Sequence, residues 1–102
     1  MILVRQEIGD VLREFRQRQG QTLRQVASKA SVALGYLSEV ERGQKEASSE
    51  ILASVADALD TPISTIMKTV GDRLAVLEGI EPFPDVVPDD LVAEVGPELS
   101  LR

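Results

Sequence analysis

The sequence predicts an all-α domain of five helices, the fifth of them extended, followed by an acidic, proline-rich tail. Three observations lead there. Apolar residues recur at helical spacing in five separate stretches before Gly79. Residues that start or stop helices punctuate those stretches: Thr22, Ser48, Ser49 and the pair Thr61–Pro62 at the starts, Gly20 at the end of the first. Four of the five prolines, by contrast, lie beyond Gly79, and prolines so close together forbid a long regular helix up to Pro88. The expected organisation is a helical domain over residues 5–70, a fifth helix over 62–78 that extends beyond it, and a tail over 79–102. Internal repeats and low-complexity runs are absent.

Ile8, Val11, Leu12 and Phe15 follow i, i+3, i+4, i+7 and predict a first helix from about Arg5 to Gln19, with Arg13, Arg16, Arg18, Glu7 and Glu14 on its other face. Thr22 with Gln25 three residues on makes a capping box, so the second helix starts at Leu23. Leu23, Val26, Ala27 and Ala30 form its apolar face, and Arg24, Gln25, Ser28 and Lys29 point outward. After Ser31 the period resumes, with Val32, Tyr36, Leu37 and Val40 closing against the second helix and Leu34, Gly35, Ser38, Glu39 and Arg42 on the opposite side. Helix, tight turn and helix over Thr22–Gly43 is the helix-turn-helix pattern, which places its second helix in the DNA major groove. Leu34 and Gly35 suit close approach to another surface, since a helical glycine costs about 1 kcal/mol against alanine.

A polar loop, QKEASS, then leads to a fourth helix with the stripe Ile51, Leu52, Val55, Ala56 and Leu59, capped by Ser48 or Ser49. Thr61 is expected to cap the fifth helix, with Pro62 in its first turn. Its stripe is Ile63, Ile66, Met67, Val70, Leu74 and Leu77. A small core could use the first three, which leaves Val70, Leu74 and Leu77 for another surface: a second copy of the chain, the reading adopted, or the tail folded back. The tail's Phe83, Val86, Val87, Leu91, Val92 and Val95 are too apolar for a plain flexible segment. They suggest partial docking on the dimer, or recognition by another protein such as a protease.

Composition narrows the function. With 102 residues and only three aromatics, the core is built from Leu, Val, Ile and Ala, and a core of this size gains from a partner. No Cys and no His removes disulfides, thiolate chemistry and the usual zinc sites, so no metal is expected. No nucleophile has a base beside it and no glycine-rich phosphate loop is present, so neither catalytic residues nor a cofactor are expected. No stretch approaches the roughly 18 apolar residues of a membrane helix, and a reducing cytoplasm is the expected compartment. The net charge of −6 is unevenly spread. Residues 1–45 hold eight Lys or Arg against five Asp or Glu, net +3; residues 71–102 hold two against eight, net −6. The basic part coincides with the helix pair, as phosphate neutralisation requires.

The segment Ile8–Met67 resembles the Cro and phage-repressor family of helix-turn-helix domains. It carries the leading amphipathic helix with R-x-x-x-G at Arg16–Gly20, T-x-x-x-V-A at Thr22–Ala27, an apolar turn, and V-E-R-G at Val40–Gly43. Through LGYLSEVERGQKEASSEIL it is most similar to the actinobacterial Clp-protease gene regulators. The resemblance implies base-reading positions at Leu34, Gly35 and Glu39 with Tyr36 and Ser38 beside them. It implies phosphate contacts at Thr22, Leu23, Arg42, Lys45 and Ser49, to which Arg24 on the outward face of the second helix is added, and an internal pair, Arg16 with Glu41. Two positions depart from the pattern: Leu23 stands where glutamine is common, and Ser31 where a turn glycine is usual.

The expected function is therefore a homodimeric transcription regulator reading a pseudo-palindromic operator in double-stranded DNA. By the resemblance it activates Clp protease and chaperone genes, with RNA polymerase as a further partner. The alternative is an antitoxin-type DNA-binding protein whose tail binds a toxin. Glu39 either accepts from cytosine N4 or pairs with Arg42 one turn on.

Overall fold

Helix α1 spans Val4–Arg18, α2 Leu23–Ala30, α3 Leu34–Glu41, α4 Ser49–Ala58 and α5 Ile63–Leu77 in a computed structural model that describes residues 1–79. All regular structure among the described residues is helical, in agreement with the expected five-helix class. The tail from Ile80 to Arg102, and the expectations placed on it, lie outside the described residues.

The predicted periodicities become the core. Val11 and Leu12 of α1, Val26, Ala27 and Ala30 of α2, Leu37 and Val40 of α3, Val55 and Ala56 of α4, Leu59, and Ile66 and Val70 of α5 are buried together. Helix α1 packs on α3 and α5, α2 on α3 and α4, and α4 on α5. Gln19 after α1 donates from Nε2 to Leu59 O (2.6 Å), just before α5, whereas Arg73 near the end of α5 reaches back to Glu7 near the start of α1. The two long helices are therefore antiparallel.

Arg73 makes three charged contacts along α1: Nε to Glu7 Oε1 (3.0 Å), Nη2 to Asp10 Oδ2 (3.2 Å) and Nη1 to Glu14 Oε2 (3.0 Å). Burial opposes its charge, but the hydrogen bond to Glu7 and the fields of Glu7, Glu14 and Asp10 outweigh that and raise its pKa above the usual value. These partners lie 59 to 66 residues away in sequence.

Helix ends refine the expectations. Thr22 and Gln25 form the predicted capping box, Gln25 N–H to Thr22 Oγ1 at 3.1 Å and Thr22 N–H to Gln25 Oε1 at 2.8 Å. Ser48 caps α4 by accepting from Ile51 N–H (3.2 Å), which leaves Ser49 as the first helical residue. Thr61 does not cap α5. Pro62 occupies the cap position, and the Thr61 hydroxyl turns back to donate to Leu59 O (2.9 Å), because the chain enters α5 through a left-handed Asp60 (φ 51°). Helix α1 begins and ends one residue earlier than expected, with Gly20 in the left-handed conformation (φ 69°) just beyond it.

The largest correction concerns α5. Val70, expected at a dimer interface, is 2% exposed and belongs to the monomer's own core, because the face that meets α1 and α4 continues past Ile66. Leu74 also packs against that core and is half-buried. Leu77, at 52%, is open, whereas Ile63 and Met67, which the small core was expected to use, are exposed.

Candidate nucleic-acid interface

Gly9 decides how α1 meets the helix-turn-helix. A Cβ built on it would lie 2.4 Å from Val40 O and 2.6 Å from Glu41 O, so the α1 backbone is pressed directly onto the last turn of α3. One turn and two turns further on, Arg13 and Arg16 reach the same end of α3. Arg16 grips Glu41 with both arms, Nε to Oε2 at 2.8 Å and Nη2 to Oε1 at 2.9 Å, and donates from Nη1 to Gln21 O at 3.0 Å. The hydrogen bond to Glu41 raises the Arg16 pKa, against the opposing effect of burial. This is the internal pair the resemblance implied. It orients α1, the entry to α2 and the end of α3 as one block.

Between α2 and α3, Ser31 adopts the left-handed conformation (φ 57°, ψ 44°), and Val32 N–H bonds to Ala27 O at 2.9 Å. The turn thus keeps the geometry that glycine usually supplies, with serine in place. Helix α3 starts at Leu34 without a side-chain cap. Gly35 is exposed, and nothing lies within 4 Å of an added Cβ, so the domain's own packing does not require glycine there. Ser38 accepts from Arg42 Nη1 (2.9 Å), and Glu39 lies 3.5 Å from Lys45 Nζ. The cation beside Glu39 is therefore Lys45 rather than Arg42; as a surface pair it holds the carboxylate only weakly.

Three expected contact residues lean on the core, Leu23 and Tyr36 as their helical period predicts and Leu34 against its outward reading. Leu34 is half-buried against the core, because the start of α3 leans on the domain. Tyr36 packs with its ring on the core and donates its hydroxyl to Glu46 O (2.8 Å), which ties the loop after α3 to the helix. Leu23 turns its side chain onto the core as well, so only its backbone N–H, left free by the capping box, can meet a phosphate. Thr22, Arg24, Gly35, Arg42, Lys45 and Ser49 are exposed, and Ser38 and Glu39 half-exposed. Arg5 steadies the loop that carries Lys45 by donating from Nε to Gly43 O (2.9 Å).

The charge pattern is sharper than composition could tell. Arg5, Arg16, Arg18, Lys45, Lys68 and Arg73 each have a carboxylate within 4.0 Å, whereas Arg13, Arg24, Lys29 and Arg42 have none among the described residues. These four uncompensated cations belong to α1, α2 and the end of α3. Arg13 and Lys29 were not singled out in the sequence; the spacing Gly9, Arg13, Arg16 along one face of α1 is the signal that marks the first. Among the described residues no helix is long and apolar enough to cross a membrane.

A profile of the helix-turn-helix domain family matches residues 7–66. The transcriptional regulator ClgR of Mycobacterium tuberculosis is 53% identical over 73 residues, which are 72% of this chain and 65% of that protein. The regulator SinR of Bacillus subtilis is 36% identical over 61 residues, 59% of this chain and 55% of its own. The chain thus spans 65% or less of the length of these two relatives. The crystal structure of the clp gene regulator ClgR from Corynebacterium glutamicum superimposes with a TM-score of 0.72 at 37% identity, covering 92% of each chain. The restriction-modification controller protein C.AhdI from Aeromonas hydrophila does so with a TM-score of 0.60 at 29% identity, covering 61% of this chain and 94% of its own.

Proposed function

Since the chain belongs to the helix-turn-helix domain family, we propose that it is a sequence-specific transcription regulator that lays α3 in the major groove of double-stranded DNA. The observation that carries this is the set of uncompensated cations Arg13, Arg24, Lys29 and Arg42 around α2 and α3, in a chain whose net charge is −6. Base reading falls to Gly35, Ser38 and Glu39 with the exposed edges of Leu34 and Tyr36. Phosphate contacts fall to Thr22, Arg24, Arg42, Lys45, Ser49 and the Leu23 amide. Relatives named as clp gene regulators lead us to extend the reading to promoters of Clp protease and chaperone genes, activated through a contact with RNA polymerase. Chromosomal DNA as ligand places the protein in the bacterial cytoplasm, at the nucleoid.

Binding-site selection with wild type and Glu39→Ala tests the reading. A carboxylate on this surface is repelled by phosphates and suits cytosine N4. Glu39→Ala is therefore expected to relax one base pair per half-site, by about 1–3 kcal/mol of discrimination, and to free Lys45 for phosphate. Identical preferences would leave Glu39 as a partner of Lys45 only; failure of the wild type to enrich any sequence would overturn the reading itself.

Two copies on a pseudo-palindrome supply one α3 per half-site. We assign the dimer contact to the exposed edge of α5, with Met67 and Leu77 in place of the buried Val70 and with Leu74 flanking them. Met67→Asp with Leu77→Asp puts charges there without touching the core, and sedimentation is expected to report monomers that keep full helical signal. A double variant that stays dimeric places the interface elsewhere.

A further inference from the structure

Arg13 is exposed and has no carboxylate partner among the described residues, yet it is not a free-standing surface charge. It lines a cleft of about 230 Å³ together with Arg16, Leu23, Ser38, Glu41 and Arg42, where α1, the start of α2 and the end of α3 converge. The close approach of Gly9 to Val40 O and Glu41 O holds α1 there. Three arginines and one glutamate line this cleft. The carboxylate of Glu41 is taken by both arms of Arg16, so Arg13 and Arg42 are left to dominate the field. Arg42 is steadied by its bond to Ser38 Oγ (2.9 Å).

We infer that this cleft is a phosphodiester site, in which Arg13 of α1 and Arg42 at the end of α3 hold one DNA backbone phosphate between them. The inference rests on the proposed DNA reading and adds α1 to the helices that touch the duplex. An anion fits the chemistry: Arg13 and Arg42 line one space whose single carboxylate is neutralised, and guanidinium groups match phosphate oxygens in pairs. The contact carries no sequence information and sets the depth and tilt of α3 in the groove.

The test is the salt dependence of binding to two short duplexes, one carrying the selected operator and one of scrambled sequence. Each phosphate contact contributes close to one to the slope of log affinity against log salt. Arg13→Ala is expected to lower that slope by about one per bound protomer on both duplexes, so that its deficit against wild type shrinks roughly threefold per protomer between about 50 and 200 mM salt. Arg13→Lys, which keeps the charge, is expected to retain the slope. Arg18→Ala, whose side chain lies over Phe15 and beside Glu14, is expected to leave it unchanged. If Arg13→Ala keeps the wild-type slope while Arg42→Ala and Lys45→Ala each lose a unit, Arg13 holds no phosphate, the contact from α1 is overturned and the DNA reading stands without it. If none of the three changes the slope, the DNA reading falls too.

Discussion

Glu41→Ala is expected to destabilise the domain by about 3 kcal/mol, since removing one partner of a buried ion pair leaves the other charge without compensation. Glu41 is 7% exposed, and both its oxygens are taken by Arg16. Alanine would leave a largely buried guanidinium with only the carbonyl of Gln21. Domains of this kind are stable by about 5–15 kcal/mol in total, so the loss is a large share. It is read as a lower urea midpoint at unchanged slope. Arg16→Met with Glu41→Leu removes both charges and is expected to recover much of the stability, which separates the cost of an orphaned charge from that of lost packing. A shift below about 0.5 kcal/mol for Glu41→Ala, the range of ordinary surface changes, would mean the pair is solvated like any surface pair.

Gly9→Ala is the second large effect, expected at about 1–3 kcal/mol, the range for forcing a methyl into a packed contact. The new carbon would meet the Val40 and Glu41 carbonyl oxygens, and these are backbone atoms that no side-chain rotation can move aside. Gly71→Ala makes the opposite forecast. It sits in α5 with nothing within 4 Å of an added Cβ, so alanine there should stabilise by roughly 0.5–1 kcal/mol. Thermal melting of the two variants, one falling and one rising, checks both; a rise for Gly9→Ala would mean that the α1–α3 contact is not tight, and a fall for Gly71→Ala that its site in α5 is not open.

How far the sequence carried depends on the range of the interaction concerned. The five helices and the Thr22–Gln25 box were legible because periodicity and capping act over three to seven residues. The turn at Ser31 was legible only as a departure, since serine does not announce a left-handed conformation that the surrounding packing imposes. Thr61 and Pro62 read as cap and first turn on their local chemistry, and the left-handed Asp60 shifted both by one position. Val70 was misplaced because a stripe gives the apolar face of α5 and not how far along it the neighbouring helices reach. In the candidate interface, the outward positions Gly35, Ser38, Glu39 and Arg42 followed from the period of α3, whereas Leu34 leans back on the domain. The Tyr36 bond to Glu46 O, the pairing of Glu39 with Lys45 and the freedom of Arg13 depend on where other elements lie.

The contacts of Arg73 bear on how the chain is made. Glu7, Asp10 and Glu14 stand on successive turns of one helix, and the cation that reconciles them is 59 to 66 residues further along. At synthesis rates of about 5–20 residues per second, that separation is roughly 3 to 13 seconds of translation. Through that interval α1 carries three like charges without the guanidinium that quiets them, and its apolar face lacks Ile66 and Val70. The first helix is thus the first to leave the ribosome, and α5 is the last of its packing partners to become available.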